Sequence, residues 1–336
     1  MSASALRAGI IGLGVGEQHI AGYHAHPACD VVALCDFAEE KRHQVAARHP
    51  DIPVTAAASD ILDDPTIDVV SIASWDNFHF EQIVAALRHD KHVFVEKPLV
   101  LHEHEAREIR RLLDAKPHLV LSSNLILRRC PRFIELKARI EAGDFGDLFH
   151  VEGDYNYGRI HKLLAGWRGH LDFYSMVLGG GVHMVDLLLW LTGRDVVEVQ
   201  AYGNRIATRD STFGNADMVV AILKFDDGMI GKVACNGGCV HPHFHGLNLY
   251  GTKASFLNDL QTARFYTARE TDQEPAKITS AYPGAAKGDL LADFVDGILA
   301  GRQPEVSVDD VFKSLSVCFA IERAVRDGGA VPVDPL

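Results

Sequence analysis

The stretch that most limits the fold is GIIGLGVGEQH, residues 9–19, with glycines at 12, 14 and 16 between a short apolar run and the start of a helix pattern. Strand, glycine turn and helix in that order open a βαβ unit that binds phosphate. The first glycine permits the tight turn, and the second lets a pyrophosphate reach backbone N–H groups at the helix N-terminus. Gly12, Gly14, Val15 and Gly16 are therefore candidate dinucleotide-binding residues. The third glycine of the G-x-G-x-x-G spacing would fall at Glu17, so the turn is expected to be one residue short, with Glu17 pointing away from phosphate. Asp36 closes the next apolar run, VVALCD, 24 residues after Gly12. A carboxylate there accepts hydrogen bonds from the adenosine ribose and repels a 2′-phosphate. Phe37 and Ala38 follow and supply no arginine, so the pattern favours NAD over NADP.

The alternation continues. AEEKRHQVAARH reads as a helix, DVVSIAS as a buried strand, FHFEQIVAALRHD as a helix, KHVFVEK as a strand, and HLVLSSN as one more strand. Strands separated by helices imply a parallel sheet covered on both faces. After residue 123 the texture changes. PRFIELKARIEAG is a capped helix, and residues 148–265 alternate as strands, interrupted by the helix HMVDLLLWLTG. A long amphipathic helix, DDVFKSLSVCFAIERAVRDGG, follows near the end. The expectation is an α/β Rossmann domain over residues 1–123 and an α+β domain over 124–336, built on a large, mainly antiparallel open sheet.

Composition narrows the partners. The 336 residues carry a formal net charge of −12 with scattered basic residues, which argues against nucleic acid. Six sparse cysteines do not make a disulfide scaffold, so reduced thiols and a cytoplasmic location are expected. The N-terminal apolar run leads into the glycine turn, not a cleavage site, and DLLLWL is too short to span a bilayer.

VFVEKPLVLHE, residues 93–103, delivers Lys97 to the end of a strand and stops on Pro98. In an open α/β sheet the carboxyl ends of the strands are where ligands sit. GGGVHMVD, residues 179–186, opens a helix with His183, and Asp186 three residues on shares its face and could orient it. With these pieces, and with DVVSIASWDNFHFEQIVAALRHDKHVFVEKPL, the chain resembles the glucose–fructose oxidoreductase / inositol dehydrogenase / MocA family over nearly its whole length. The resemblance implies an NAD(H)-dependent oxidoreductase acting on a secondary alcohol or ketone carbon of a sugar, sugar nucleotide or related polyol. It places Glu96 and Lys97 beside the cofactor, and has Lys97 hydrogen-bond the substrate hydroxyl across an expected cis Lys97–Pro98 bond. Many relatives carry an aspartate four residues before the histidine; here that position is Gly179, and Tyr174 or Asp172 are the nearby substitutes. Lys97, His183 and Tyr174 are the expected catalytic residues.

Ser74, Trp75, Asn77 and His79 lie on a loop that borders the cofactor in the family, and Trp167 and Arg168 lie near the nicotinamide. Asn124, Arg128, Asp154, Asn156, Tyr157 and His243 are candidates for substrate hydroxyls. CNGGCVHPHFHG, residues 235–246, is rich in zinc-competent side chains, but its spacing is not that of a structural zinc site, and no metal is expected. An H-x-H-x-H alternation would put His241, His243 and His245 on one face. Two rivals stay open: NAD recycled within the turnover, in internal redox or glycoside cleavage, and a non-catalytic NAD-binding regulator. A homodimer or homotetramer through the C-terminal sheet is expected.

Overall fold

The computed structural model describes residues 5–336, which form two compact units. The first takes the chain up to Ile126 together with Ala286–Phe312; the second takes Leu127–Ala285 and Lys313–Pro335. The segment Ala286–Phe312 thus returns to the first unit after the second has been built. No local pattern announces such a return, since it is made by packing: a β-carbon on Gly22 would lie 2.6 Å from the Gly288 carbonyl oxygen, and Phe294 packs against Phe94 at 5.4 Å between ring centres. The reading that gave all of 124–336 to one domain rested on texture alone.

Six parallel strands form the first unit's sheet: β1 (Leu6–Ile11), β2 (Cys29–Cys35), β3 (Val54–Thr55), β4 (Val69–Ile72), β5 (His92–Val95) and β6 (Leu121–Ser123). Their order, β3-β2-β1-β4-β5-β6, reverses direction between β1 and β4, the switch point at which an open sheet binds its ligand. The strands read as continuous apolar runs because helices cover both faces; Val69, Val70, Ser71 and Ile72 are all buried. The helices α1 (Glu17–His24), α2 (Glu39–Arg48), α3 (Ser59–Leu62), α4 (His79–Arg88) and α5 (Glu103–Ala115) make the connections.

The second unit opens with α6 (Pro131–Glu141), and its sheet has nine strands: β7 (Leu148–Asn156), β8 (Val196–Asn204), β9 (Met218–Phe225), β10 (Ile230–Asn236), β11 (Phe244–Gly251), β12 (Ser255–Leu257), β13 (Ala263–Tyr266), β14 (Ala276–Ile278) and β15 (Ala330–Pro332). They lie in the order β14-β13-β12-β11-β7-β10-β9-β8-β15, with β7–β10 the single parallel pairing of this sheet among the described residues. Between β7 and β8 come α7 (His161–Leu164) and α8 (Val182–Thr192). The helix α8 covers one face, and Gly153 on β7 leaves room for Met184, whose Cβ lies 3.2 Å from where a β-carbon would stand. A π-helical turn, Val177–Gly181, leads into α8, and Gly193 ends it in the left-handed conformation. The helices α9 (Leu291–Ala300) and α10 (Val308–Asp327) follow the sheet's main body in sequence. No helix among the described residues is long and apolar enough to cross a membrane.

Candidate functional site

In the first unit the glycine turn runs Gly12–Gly16 and α1 starts at Glu17, one residue tighter than the usual spacing. Gly12 has φ +88°, and a β-carbon there would lie 2.4 Å from the backbone of Ala73 and Ser74, so this position excludes any side chain. Gly16 closes the turn, since a β-carbon would fall 2.3 Å from the Gly12 carbonyl oxygen. At Gly14 a side chain would meet no protein atom. Packing therefore does not demand that glycine; a group approaching the backbone from outside is what it admits. Glu17 turns away as expected. Its carboxylate takes hydrogen bonds from Arg48 at 2.6 Å and Lys41 at 2.9 Å. The Arg48 bond, with Lys41 beside it, holds the Glu17 pKa down at about 2.

The Asp36 carboxylate is fixed before any ligand arrives. It accepts from the Leu13 N–H at 2.8 Å and the Ala38 N–H at 2.9 Å, which clamps the end of β2 to the glycine turn. One backbone bond per oxygen leaves lone pairs for two ribose hydroxyls. The sequence shows no arginine directly after Asp36, but the fold brings one up: Arg42 donates to the carbonyls of Asp36 and Phe37 at 3.0 and 2.8 Å. Phe37, 64% exposed, and Phe78 flank Trp75 with ring centres 5.2 and 6.4 Å from it. A Rossmann turn with an open approach at Gly14 and a preset carboxylate fits a dinucleotide.

The loop after β4 divides its labour. Asn77 is exposed, and the Ser74 hydroxyl donates to Gln82 Oε1 at 2.7 Å. His79 does not line a ligand surface. It is fully buried, with ring nitrogens 2.7 Å from the Pro98 carbonyl and 3.2 Å from the Ser74 carbonyl, so it ties this loop to the one carrying Lys97. The Lys97–Pro98 bond is cis, and Lys97 is half-buried. Glu96 beside it is an internal anchor. It accepts from Asn124 Nδ2 at 2.7 Å and faces His19 Nε2 at 3.4 Å, while His19 Nδ1 meets Ser71 Oγ at 2.8 Å. Burial alone would raise the Glu96 pKa; the His19 bond and the Lys287 and Lys97 charges outweigh it and leave the carboxyl well below the usual range. Asn124 also donates to the Lys287 carbonyl at 3.0 Å, and its buried Oδ1 accepts nothing.

In the second unit several of the candidate residues lie around the π-turn. His183, 5% exposed, stands in the first turn of α8 with its ring 5.9 Å from that of His245. His245 lies 4.9 Å from His243, and Tyr155 lies 5.5 Å from His243 and 6.0 Å from Tyr157. Each glycine of the turn receives a neighbour. β-Carbons at Gly179, Gly180 and Gly181 would collide with the Tyr174 hydroxyl, the Tyr155 ring and the Cys235 sulfur. Buried Tyr174 is held by the Arg168 Nε–H at 3.1 Å, and the Arg168 guanidinium lies 4.4 Å over the Trp167 ring. No pattern of residue types foretold this π-turn, although three consecutive glycines before a helix hinted at close approach.

Several expectations are corrected. Asp186 takes Arg128 as a two-toothed partner, with Nη2–Oδ1 2.6 Å and Nε–Oδ2 3.1 Å, in the core of the unit. This geometry gives Arg128 a buried ion-pair partner that the sequence did not announce. Asp154 and Asn156 fall on the opposite side of β7 from Tyr155, because successive side chains alternate across a strand. Asp154 instead pairs with Lys232 at 3.0 Å. Asp172 is exposed. Pro242 interrupts the histidine alternation: β11 begins at Phe244, so His241 and His243 both precede it; His241 is exposed, and the His243 ring lies 4.9 Å from that of His245. Among the described residues no group of three or more His, Cys, Asp or Glu could hold a metal ion.

Comparison with known proteins agrees with this anatomy. A family model described as the oxidoreductase family, NAD-binding Rossmann fold, matches residues 6–124, and the GFO/IDH/MocA C-terminal domain matches 133–257. The myo-inositol 2-dehydrogenase of Thermotoga maritima is 24% identical over 98% of this chain and 99% of its own. The 1,5-anhydro-D-fructose reductase of Ensifer adhaerens is 24% identical over 98% of both. The crystal structure of myo-inositol 2-dehydrogenase from Lactobacillus plantarum superposes with a TM-score of 0.84 at 24% identity, covering 98% of this chain and 100% of that one, a likeness of fold.

Proposed function

Because the chain belongs to the glucose–fructose oxidoreductase / inositol dehydrogenase / MocA family of NAD-binding oxidoreductases, we propose that it moves a hydride between NAD and a secondary alcohol or ketone carbon of a sugar, sugar nucleotide or related polyol. Named relatives act on an inositol and on an anhydro-sugar, which supports a polyhydroxylated substrate. When bound, NAD supplies the hydride acceptor at its nicotinamide ring.

The protein's part is to hold the hydroxyl and manage its proton. Lys97 offers a cation, which favours developing alkoxide by an electrostatic effect typically worth about 3 kcal/mol. His183 takes or returns the hydroxyl proton, since imidazole suits that task near neutral pH. Tyr174 stands in for the missing aspartate. The single observation behind this reading is the Tyr174 hydroxyl resting on Gly179 with the Arg168 guanidinium beside it, so a phenolate would form next to a positive charge. The ribose side falls to Asp36 and the pyrophosphate to the turn around Gly14.

The reading extends to assembly and place. The open face of the nine-stranded sheet exposes Tyr202, Ile222 and Ile230, apolar surface suited to a second copy. The six free thiols agree with a cytoplasmic location.

The test is absorbance at the NADH band on mixing protein, NAD and a panel of aldoses, inositols and sugar nucleotides, with Lys97→Ala as control. A substrate-dependent rise that the control lacks establishes the dehydrogenase. Silence across the panel, with NAD bound, turns the reading toward a cofactor recycled in place.

A further inference from the structure

We propose that Arg159 and Lys162 form an anion-binding subsite in the second unit, and that the carbohydrate it handles carries a carboxylate or phosphate. The inference rests on the dehydrogenase reading for the word carbohydrate, and on the geometry below for the charge.

The chain has 45 acidic and 33 basic residues, so a cation should find a carboxylate readily. Many do: Arg48 pairs with Glu17, Arg110 with Asp309, Arg194 with Asp227 and Lys232 with Asp154. Residues 155–171 have none to offer: they contain Arg159, Lys162 and Arg168 and no acidic residue. Among the described residues Arg159 and Lys162 have no ion-pair partner, although Arg159 is half-buried. Its guanidinium lies 5.1 Å over the Tyr157 ring, and its buried Nε–H donates to nothing. Tyr157 is 4% exposed, and its buried hydroxyl also lacks a partner. Two neighbouring buried polar groups without partners are costly and ask for an explanation.

The cations crowd each other as well. Lys162 stands one turn after Arg159, its backbone N–H bonded to the Arg159 carbonyl at 2.9 Å, and desolvation followed by the charges of Arg159 and Arg168 depresses its pKa. Arg159 lies over Tyr157, whose ring stacks 6.0 Å from Tyr155, and Arg168 bonds Tyr174; the Tyr155 ring and the Tyr174 hydroxyl both pack on the glycine turn that leads into α8. Ring contacts run from Tyr157 through His243 and His245 to His183, at 6.3, 4.9 and 5.9 Å. An anionic group near Arg159 would therefore belong to a molecule that reaches toward His183. A guanidinium with free donors matches a carboxylate or a phosphate, and a neutral hydroxyl would leave its charge unanswered.

The test measures binding to the NADH-loaded protein by calorimetry with D-glucuronate, D-glucose 6-phosphate and D-glucose, at low and at raised salt. The variants are Arg159→Met, Lys162→Glu and the pair Arg159→Met/Lys162→Met, each checked for unchanged NADH affinity. Lys162 is exposed, so its charge reversal should leave folding intact. The expected result is at least ten-fold tighter binding of one charged probe than of glucose, reduced by salt and by Lys162→Glu, and abolished in the double variant. Whether glucuronate or the phosphate wins names the anion. The inference is overturned if neither charged probe exceeds glucose, or if the preference survives loss of both cations. NADH formed equally from neutral and charged sugars likewise overturns it and leaves the dehydrogenase reading standing. Charge-dependent binding without NADH from any compound supports the subsite and counts against that reading instead.

Discussion

The Tyr174 hydroxyl occupies the place where a side chain on residue 179 would begin: a β-carbon built on Gly179 lies 2.3 Å from Oη and 2.6 Å from Cζ. The two positions exclude each other sterically, which explains why glycine stands where many relatives carry an aspartate. Gly179→Ala should push Tyr174 aside, destabilise the protein by about 1–3 kcal/mol and lower kcat. In a Tyr174→Ala background the same change should be nearly neutral for stability. Urea unfolding of the two single variants and the double variant reads the coupling; additive losses would refute the contact.

Arg128 and Asp186 test a different kind of contact. Both are buried, 3% and 0% exposed, and joined by charge-assisted hydrogen bonds from Nε and Nη2. Arg128→Met strands the carboxylate and should cost about 3–5 kcal/mol, whereas Arg128→Met with Asp186→Leu should recover most of it. A thermal melt of each variant distinguishes this internal role from a substrate contact, which would alter KM and leave stability alone.

The role proposed for Asp36 is to favour NAD over NADP. Replacing it by Ala removes the acceptor and the negative charge, and the NAD-to-NADP ratio of kcat/KM should fall by about ten-fold or more. Arg42, already at the carbonyl of residue 36, is the cation a 2′-phosphate would find. Adding Arg42→Ala should therefore cancel the gain in NADP use. Initial rates with both cofactors check the pair.

His92 gives the fold a pH dependence. Its Nδ1 accepts the Val120 N–H at 3.0 Å, which requires an unprotonated nitrogen, and burial with the nearby His118 lowers its pKa from 6.5 to about 4. The unfolded chain binds this proton below pH 6.5 and the folded chain only below about 4. Stability is thus complete above 6.5 and declines as pH falls toward 4, by an amount on the order of 3 kcal/mol at about 1.4 kcal/mol per pKa unit. His92→Asn should flatten denaturant midpoints across that window.

Much of the first unit was legible because its signals are local. The spacing of Gly12, Gly14 and Gly16 and the position of Asp36 are each fixed within one βαβ unit, and the apolar runs of β1, β2, β4 and β5 reveal a sheet buried on both faces. Local pattern stops short where partners come from far along the chain. Asp186 shares a helical face with His183, and packing also brings it Arg128 from 58 positions earlier, which no local signal announces. His79 read as a ligand-facing residue because nothing in the chain announces that two carbonyls will close on its ring.

The sequence by itself determined the fold class, the dinucleotide turn and the residue types available for moving a hydroxyl proton, since periodicity and turn chemistry act over a few neighbouring residues. Tertiary structure alone decided which face of β7 meets α8, and so why Tyr155 packs on the turn at Gly180 while Asp154 turns to Lys232. It also decided that Tyr174 should lie on Gly179 and that Arg159 should be left without a carboxylate. Those outcomes depend on the packing of elements far apart in the chain, whose energies are settled only when side chains share one volume.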